Sequence, residues 1–170
     1  FIEPPGNPKL ATSYYGDKSD ELHMAFNFAF LYCKWDAEKF REAISALEKE
    51  LKPEDWPNYT LSNHDQIRHI KRYEKGKETI PRMKIAAMLL LTLRGTPFLY
   101  YGEEIGMEDQ AVPKDKIQDP LAKMYWPIFN GRDKSRLPMR WDDSTNAGFS
   151  TGTPWLPMNK NVKTINVISQ

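Results

Sequence analysis

Three features of this 170-residue chain predict an α/β fold: a continuously apolar run at 22–31, two segments of helical period at 36–51 and 79–94, and a short strand-like stretch after each of those helices. The order strand, helix, strand, helix, strand implies parallel strands joined by right-handed crossovers. An eightfold barrel is assembled from such units.

Each element has its own warrant. Residues 1–16 hold Pro4-Pro5-Gly6, Pro8 and Tyr14-Tyr15-Gly16, a composition that reads as an irregular surface segment. In 22–31, Met24, Ala25, Phe26, Phe28, Ala29 and Phe30 are too continuously apolar for a one-sided sheet and fit a parallel strand covered on both faces. The period then changes. Asp36 is placed to cap a helix running to 51, with Phe40, Ile44, Leu47 and Leu51 three and four apart and Pro53 as the stop. Tyr59–Ser62 is a short candidate strand, and the polar stretch 71–77 leads to a second helix. There Thr79 is the expected cap, Pro81 sits in the first turn, and Gly95 ends the helix after Arg94. Thr96–Tyr101 reads as another buried strand. Beyond Gly102 periodicity is fragmentary, apart from a short helix near 119–129, and so long an irregular stretch usually carries function.

Composition narrows the class. The formal charge is +1 with signs interspersed, which argues against a nucleic-acid partner, and no stretch reaches the roughly 20 apolar residues of a membrane span. The single cysteine, Cys33, excludes an internal disulfide and reads as a small buried hydrophobe. No cysteine–histidine spacing, phosphate loop or acidic calcium loop is present, so neither a metal nor an organic cofactor is expected.

The chemistry concentrates in Asn63-His64-Asp65-Gln66, where a carboxylate and an imidazole follow a short apolar stretch, a pairing suited to gripping sugar hydroxyls. Two later segments accompany it: Gly-Thr-Pro-Phe-Leu-Tyr-Tyr-Gly-Glu-Glu-Ile-Gly-Met at 95–107 and Gly-Arg-Asp-Lys-Ser-Arg-Leu-Pro-Met-Arg-Trp-Asp at 131–142. Together they resemble the α-amylase family of glycoside hydrolases, in its α-glucosidase and oligo-1,6-glucosidase branch. The resemblance implies a partial (β/α)8 TIM barrel over 1–170, with 22–31, 59–65 and 96–102 as strands six, seven and eight and 103–170 as the loop toward the last helix. Three strands leave open edges, so the remaining segments of the same barrel are expected as partners.

The resemblance also assigns roles. Asp65 matches the family's transition-state-stabilising aspartate and His64 a residue binding the same ring of an α-glucoside substrate. Nothing in the chain resembles the segments carrying the family's nucleophile and general acid, so the isolated chain is expected to be inactive. Arg68 either orients Asp65, reaches substrate or is an ordinary surface arginine. Arg136 matches the best-defined arginine of its segment and contacts substrate or supports the site, whereas Arg132 and Arg140 pair with Asp133, Asp142 or Asp143. Glu103-Glu104 is not the catalytic pair: adjacent strand residues leave on opposite faces, whereas a retaining pair faces across roughly 5–5.5 Å. That pair reads as largely structural, with Glu104 as the support. Tyr100-Tyr101, Trp141 and Trp155 read as packing residues. The rival reading is a non-catalytic α-amylase-like interaction or sugar-binding module.

Overall fold

The computed structural model describes residues 7–18 and 20–170, so the Pro4-Pro5-Gly6 part of the first segment lies outside the described residues. The chain divides into two compact units, one formed by residues up to 61 with 81–99, the other by 62–80 with 100–170.

Among the described residues the first unit opens on a helix where an irregular segment was expected. In α1 (Pro8–Ser13) the Asn7 side chain accepts from Lys9 N at 3.1 Å and Leu10 N at 3.4 Å, and Pro8 supplies a first-turn residue with no amide to satisfy. The expected strand at 22–31 is also corrected. Residues 20–28 carry no regular structure and lead into the single turn α2 (Ala29–Tyr32), with Leu22, Phe26 and Phe28 exposed. The Asn58 side chain takes the place of a backbone ladder, accepting from Asn27 N at 3.2 Å and donating to Ala25 O. Apolar continuity therefore signalled aromatic packing: Phe26 lies against Phe98 at 4.9 Å and Phe30 stacks on Tyr59 at 5.0 Å.

Helix α3 (Ala37–Glu50) forms as its period requires. Asp36 accepts from Glu38 N at 2.8 Å and Lys39 N at 3.2 Å, while Phe40 and Leu47 are buried, Phe40 meeting Phe30 edge-on at 5.1 Å. Cys33 is half-buried rather than a core residue, its thiol facing Lys39 O at 3.8 Å. Strand β1 (Asn58–Thr60) pairs in parallel with β2 (Thr96–Phe98) in the register Asn58↔Thr96, Tyr59↔Pro97, Thr60↔Phe98. Both strands are shorter than the sequence predicts.

Two further helices complete the connection. The single turn α4 (His69–Arg72) was not expected, and α5 (Thr79–Thr92) forms where the second helix was expected but ends two residues short of Arg94; Thr79 lies within it and accepts from Lys75 N at 2.9 Å, closing the preceding turn. Ala86 and Leu90 of α5 are buried, whereas Ile85, Met88 and Leu91 are exposed. A groove of about 610 Å3 between α3 and α5 is lined by Trp35, Phe40, Ile44, Ile85, Met88 and Leu89, among others. Gly95 adopts φ +134°, and a Cβ there would lie 2.7 Å from Pro57 O; this lets Thr96 N reach Pro57 O at 2.9 Å and start the sheet.

The second unit is mostly loop, as the sequence implies, around a core of Ile105, Met107, Leu137, Met139 and Leu156. The expected short helix is α6 (Pro120–Tyr125), capped by Asp119. Trp141 and Trp155 are exposed, a correction to their reading as packing residues. Among the described residues no helix is long and apolar enough to cross a membrane.

These contacts rank two substitutions. Asp36→Ala is expected to cost about 1 kcal/mol through loss of the cap, and Gly95→Ala upwards of about 2 kcal/mol, because left-handed strain and collision with Pro57 add. Urea denaturation followed by circular dichroism checks the order; a Gly95→Ala midpoint equal to wild type would contradict it.

Candidate active site

The loop after β1 is built by its own side chains. Asn63 Oδ1 accepts from Asp65 N at 2.9 Å and Gln66 N at 3.0 Å, a local turn that holds His64 and Asp65 outward with their side chains 65% and 42% exposed. Two guanidinium groups meet one oxygen of Asp65: Arg132 Nη1 at 3.0 Å and Arg136 Nη2 at 2.9 Å, both on Oδ1. The other oxygen, Oδ2, faces His64 Nε2 at 3.5 Å. Arg136 also donates Nε to His64 O at 2.9 Å, so it braces both members of the pair. Ion pairs this exposed contribute roughly 0–1 kcal/mol of stability each, so their consequence here is orientation.

Arg132 is itself held, in a way the sequence did not reveal. Its Nε and Nη2 donate to Asp119 at 2.9 and 3.2 Å, and its backbone amide donates to Asp119 Oδ2 at 3.0 Å. Asp119, whose side chain is fully buried, also accepts from Leu121 N at 3.1 Å. The Arg132 fork holds the Asp119 carboxyl far below the usual carboxylate range. Asp133, one of the acids expected to pair with Arg132 or Arg140, instead accepts from Gln118 N at 2.5 Å and Asp119 N at 2.8 Å and clips the loop shut. Gly131 (φ +82°) passes so close to α6 that a Cβ would sit 2.6 Å from Ala122 Cβ. Arg140 is corrected as well: it is buried, donates Nη1 to Asn161 Oδ1, and burial pulls its pKa down to about 10.

Arg68 is not available to a sugar. It is fully buried between Tyr100 and Tyr101, with its guanidinium carbon 4.5 and 4.8 Å from the two ring centres. It donates to Tyr101 O at 2.5 Å and Ser135 O at 3.3 Å and lies 3.4 Å from Asp109, whose pKa burial pushes up against the pull of Arg68. A delocalised cation between two aromatic faces is a packing element. The two tyrosines are packing residues accordingly, their hydroxyls donating to Ser135 O and Leu137 O.

Behind the loop lies a second buried cluster. Glu103 Oε1 and Ser62 Oγ both meet His69 Nδ1, at 2.7 and 3.1 Å, while Glu103 Oε2 accepts from Tyr100 N at 2.9 Å. Both contacts fall on one ring nitrogen, so serine, histidine and carboxylate form no proton relay. Glu103 is the structural acid that sequence reasoning assigned to Glu104, which is exposed. The pair sits on a 3-10 turn, Glu103–Ile105, not on a strand. Among the described residues no group of three histidine, cysteine or acidic side chains could hold a metal ion.

The model of the α-amylase catalytic domain matches residues 4–170 of the chain. The chain belongs to the α-amylase family. Within this family it is 36% identical to an oligo-1,6-glucosidase of Parageobacillus thermoglucosidasius, over 97% of the chain and 35% of that protein, and 35% identical to a probable alpha-glucosidase of Rhizobium meliloti, over 86% and 27%. Among solved structures it is similar to the alpha-glucosyl transfer enzyme XgtA, with a TM-score of 0.85 and 35% identity over 95% of the chain and 30% of that one. The isomaltulose synthase SmuA from Protaminobacter rubrum gives a TM-score of 0.79 at 28% identity, over 100% of the chain and 36% of that one. The chain thus spans about a third of the length of the relatives it matches. These neighbours are TIM-barrel enzymes of the α-amylase family, and the parallel β1–β2 pair fits that architecture.

The buried cluster separates two adjacent acids. Glu103→Gln is expected to cost roughly 1–3 kcal/mol, since it leaves a buried imidazole and amide imperfectly satisfied, and Glu104→Gln less than about 0.5 kcal/mol. Paired denaturation curves check this; equal losses would contradict the assignment.

Proposed function

We propose that this chain is part of a retaining α-glucosidase acting on α-linked gluco-oligosaccharides or disaccharides, by hydrolysis or glycosyl transfer. Asp65 is the transition-state stabiliser, His64 binds the sugar at the cleaved bond, and Arg136 braces both. The carrying observation is the division of labour on Asp65: both arginines occupy Oδ1, and Oδ2 stands beside the exposed His64 imidazole. An acceptor and a donor side by side match two neighbouring ring hydroxyls.

The chemistry follows from charge. A retaining glycosidase passes through oxocarbenium-like transition states, with one carboxyl as nucleophile and another as acid/base; in this reading both lie outside the 170 residues, and the chain alone is inactive. A third carboxylate that accepts hydroxyl hydrogens binds more strongly as the ring flattens and gains positive charge, which lowers the barrier rather than merely holding substrate. In this reading the segments at 59–65 and 96–102 correspond to strands seven and eight of the barrel, with 1–170 a partial catalytic domain. The parallel pairing of β1 with β2 and the exposed apolar side chains of α5 support it, since remaining segments of the same barrel would cover them. The relatives' names, among them oligo-1,6-glucosidase and alpha-glucosyl transfer enzyme, support the substrate class.

In the complete protein Asp65→Asn is expected to lower kcat about a thousandfold, corresponding to roughly 4 kcal/mol of lost transition-state stabilisation, with a much smaller change in KM. His64→Ala is expected to be milder, because a hydrogen-bond donor is lost and not the carboxylate facing the developing cation. Steady-state kinetics on an aryl α-glucoside check both; near-wild-type turnover by a folded Asp65→Asn variant would contradict the role of Asp65.

A further inference from the structure

A carboxylate gripped from one side can still swing unless its grip is anchored, and the two arginines on Asp65 are anchored differently. The Arg136 guanidinium donates to the loop it braces, at His64 O and at Asp65. Arg132 is tied to a separate loop: three of its donors, Nε, Nη2 and the backbone amide, end on the buried Asp119 carboxylate, leaving Nη1 for Asp65. That loop is closed by Asp133 on the amides of Gln118 and Asp119, and by the contact of Gly131 with α6. The Arg132 guanidinium is therefore fixed before it reaches Asp65. A planar fork held on two nitrogens presents the third in one direction.

We infer that Asp119 and Arg132 are positioning residues that determine which oxygen of Asp65 meets the substrate. This rests on the reading that Asp65 is the stabilising carboxylate. With Nη1 of Arg132 on Oδ1, rotation of the carboxylate is stopped and Oδ2 is the oxygen held beside His64. Asp119 acts only through Arg132, and Arg132 only through Asp65.

The test compares Arg132→Lys and Asp119→Asn with Asp65→Asn in the complete protein. A lysine ammonium keeps the charge but cannot span Asp119 and Asp65 together, and a neutral carboxamide in place of the Asp119 carboxylate cannot accept both arms of the fork. Each is expected to lower kcat on the order of a hundredfold, with KM within about threefold. Added to Asp65→Asn, either is expected to lower kcat less than about twofold further, since the group it positions is already lost. Single-variant turnover near wild type, or a loss that multiplies with that of Asp65→Asn, overturns the inference. Failure of both variants to fold overturns it too, in favour of a purely structural clip. Near-wild-type turnover by Asp65→Asn instead overturns the role of Asp65 on which the inference rests.

Discussion

One carboxylate oxygen organises the site. Asp65 Oδ1 receives a guanidinium from Arg132 and another from Arg136, and these two contacts bring segments about seventy residues away in sequence onto a four-residue motif. Each pair is half-exposed and adds little stability by itself. What it fixes is direction. The stability needed to hold that direction comes from deeper in the unit, where Asp119 is sealed by Arg132 and by backbone amides, and where Arg68 is clamped between two tyrosines.

The same division between outward chemistry and inward support accounts for the acidic and basic positions that look interchangeable in the sequence. Glu103 turns inward to His69 and the Tyr100 amide, while Glu104 stays in solvent. Arg68 turns inward to the tyrosines, while Arg136 reaches the surface motif. Local spacing could not decide either case, because the deciding partner is a backbone carbonyl, amide or aromatic ring contributed from far along the chain.

Much of the remaining architecture was legible for the opposite reason. Asp36 before a three- and four-spaced apolar row, Thr79-Ile80-Pro81 before an apolar helix, Gly95 at its end and Asp119-Pro120 before a short one are local signals, and α3, α5 and α6 form where they stand. The Asn-His-Asp motif reads as a sugar grip because its residue types and neighbouring segments match the α-amylase family. The segment at 22–31 was misread as a strand, because aromatic continuity is shared by buried strands and by packed irregular chain. Arg132 was expected to pair with Asp133, Asp142 or Asp143, while its partner Asp119 is thirteen residues back and made accessible by the fold of the loop between them. Trp141 and Trp155 carried no local signal for exposure.

The account turns on Asp65 presenting Oδ2, beside His64, to the sugar. The most direct measurement is a crystal structure of the complete protein with a cationic, ring-flattened glucose analogue. The prediction is that Oδ2 of Asp65 and Nε2 of His64 lie within hydrogen-bond distance of adjacent hydroxyls, with Arg132 and Arg136 still on Oδ1. An analogue bound through Oδ1, with the arginines displaced onto other groups, or bound without touching Asp65, would contradict it.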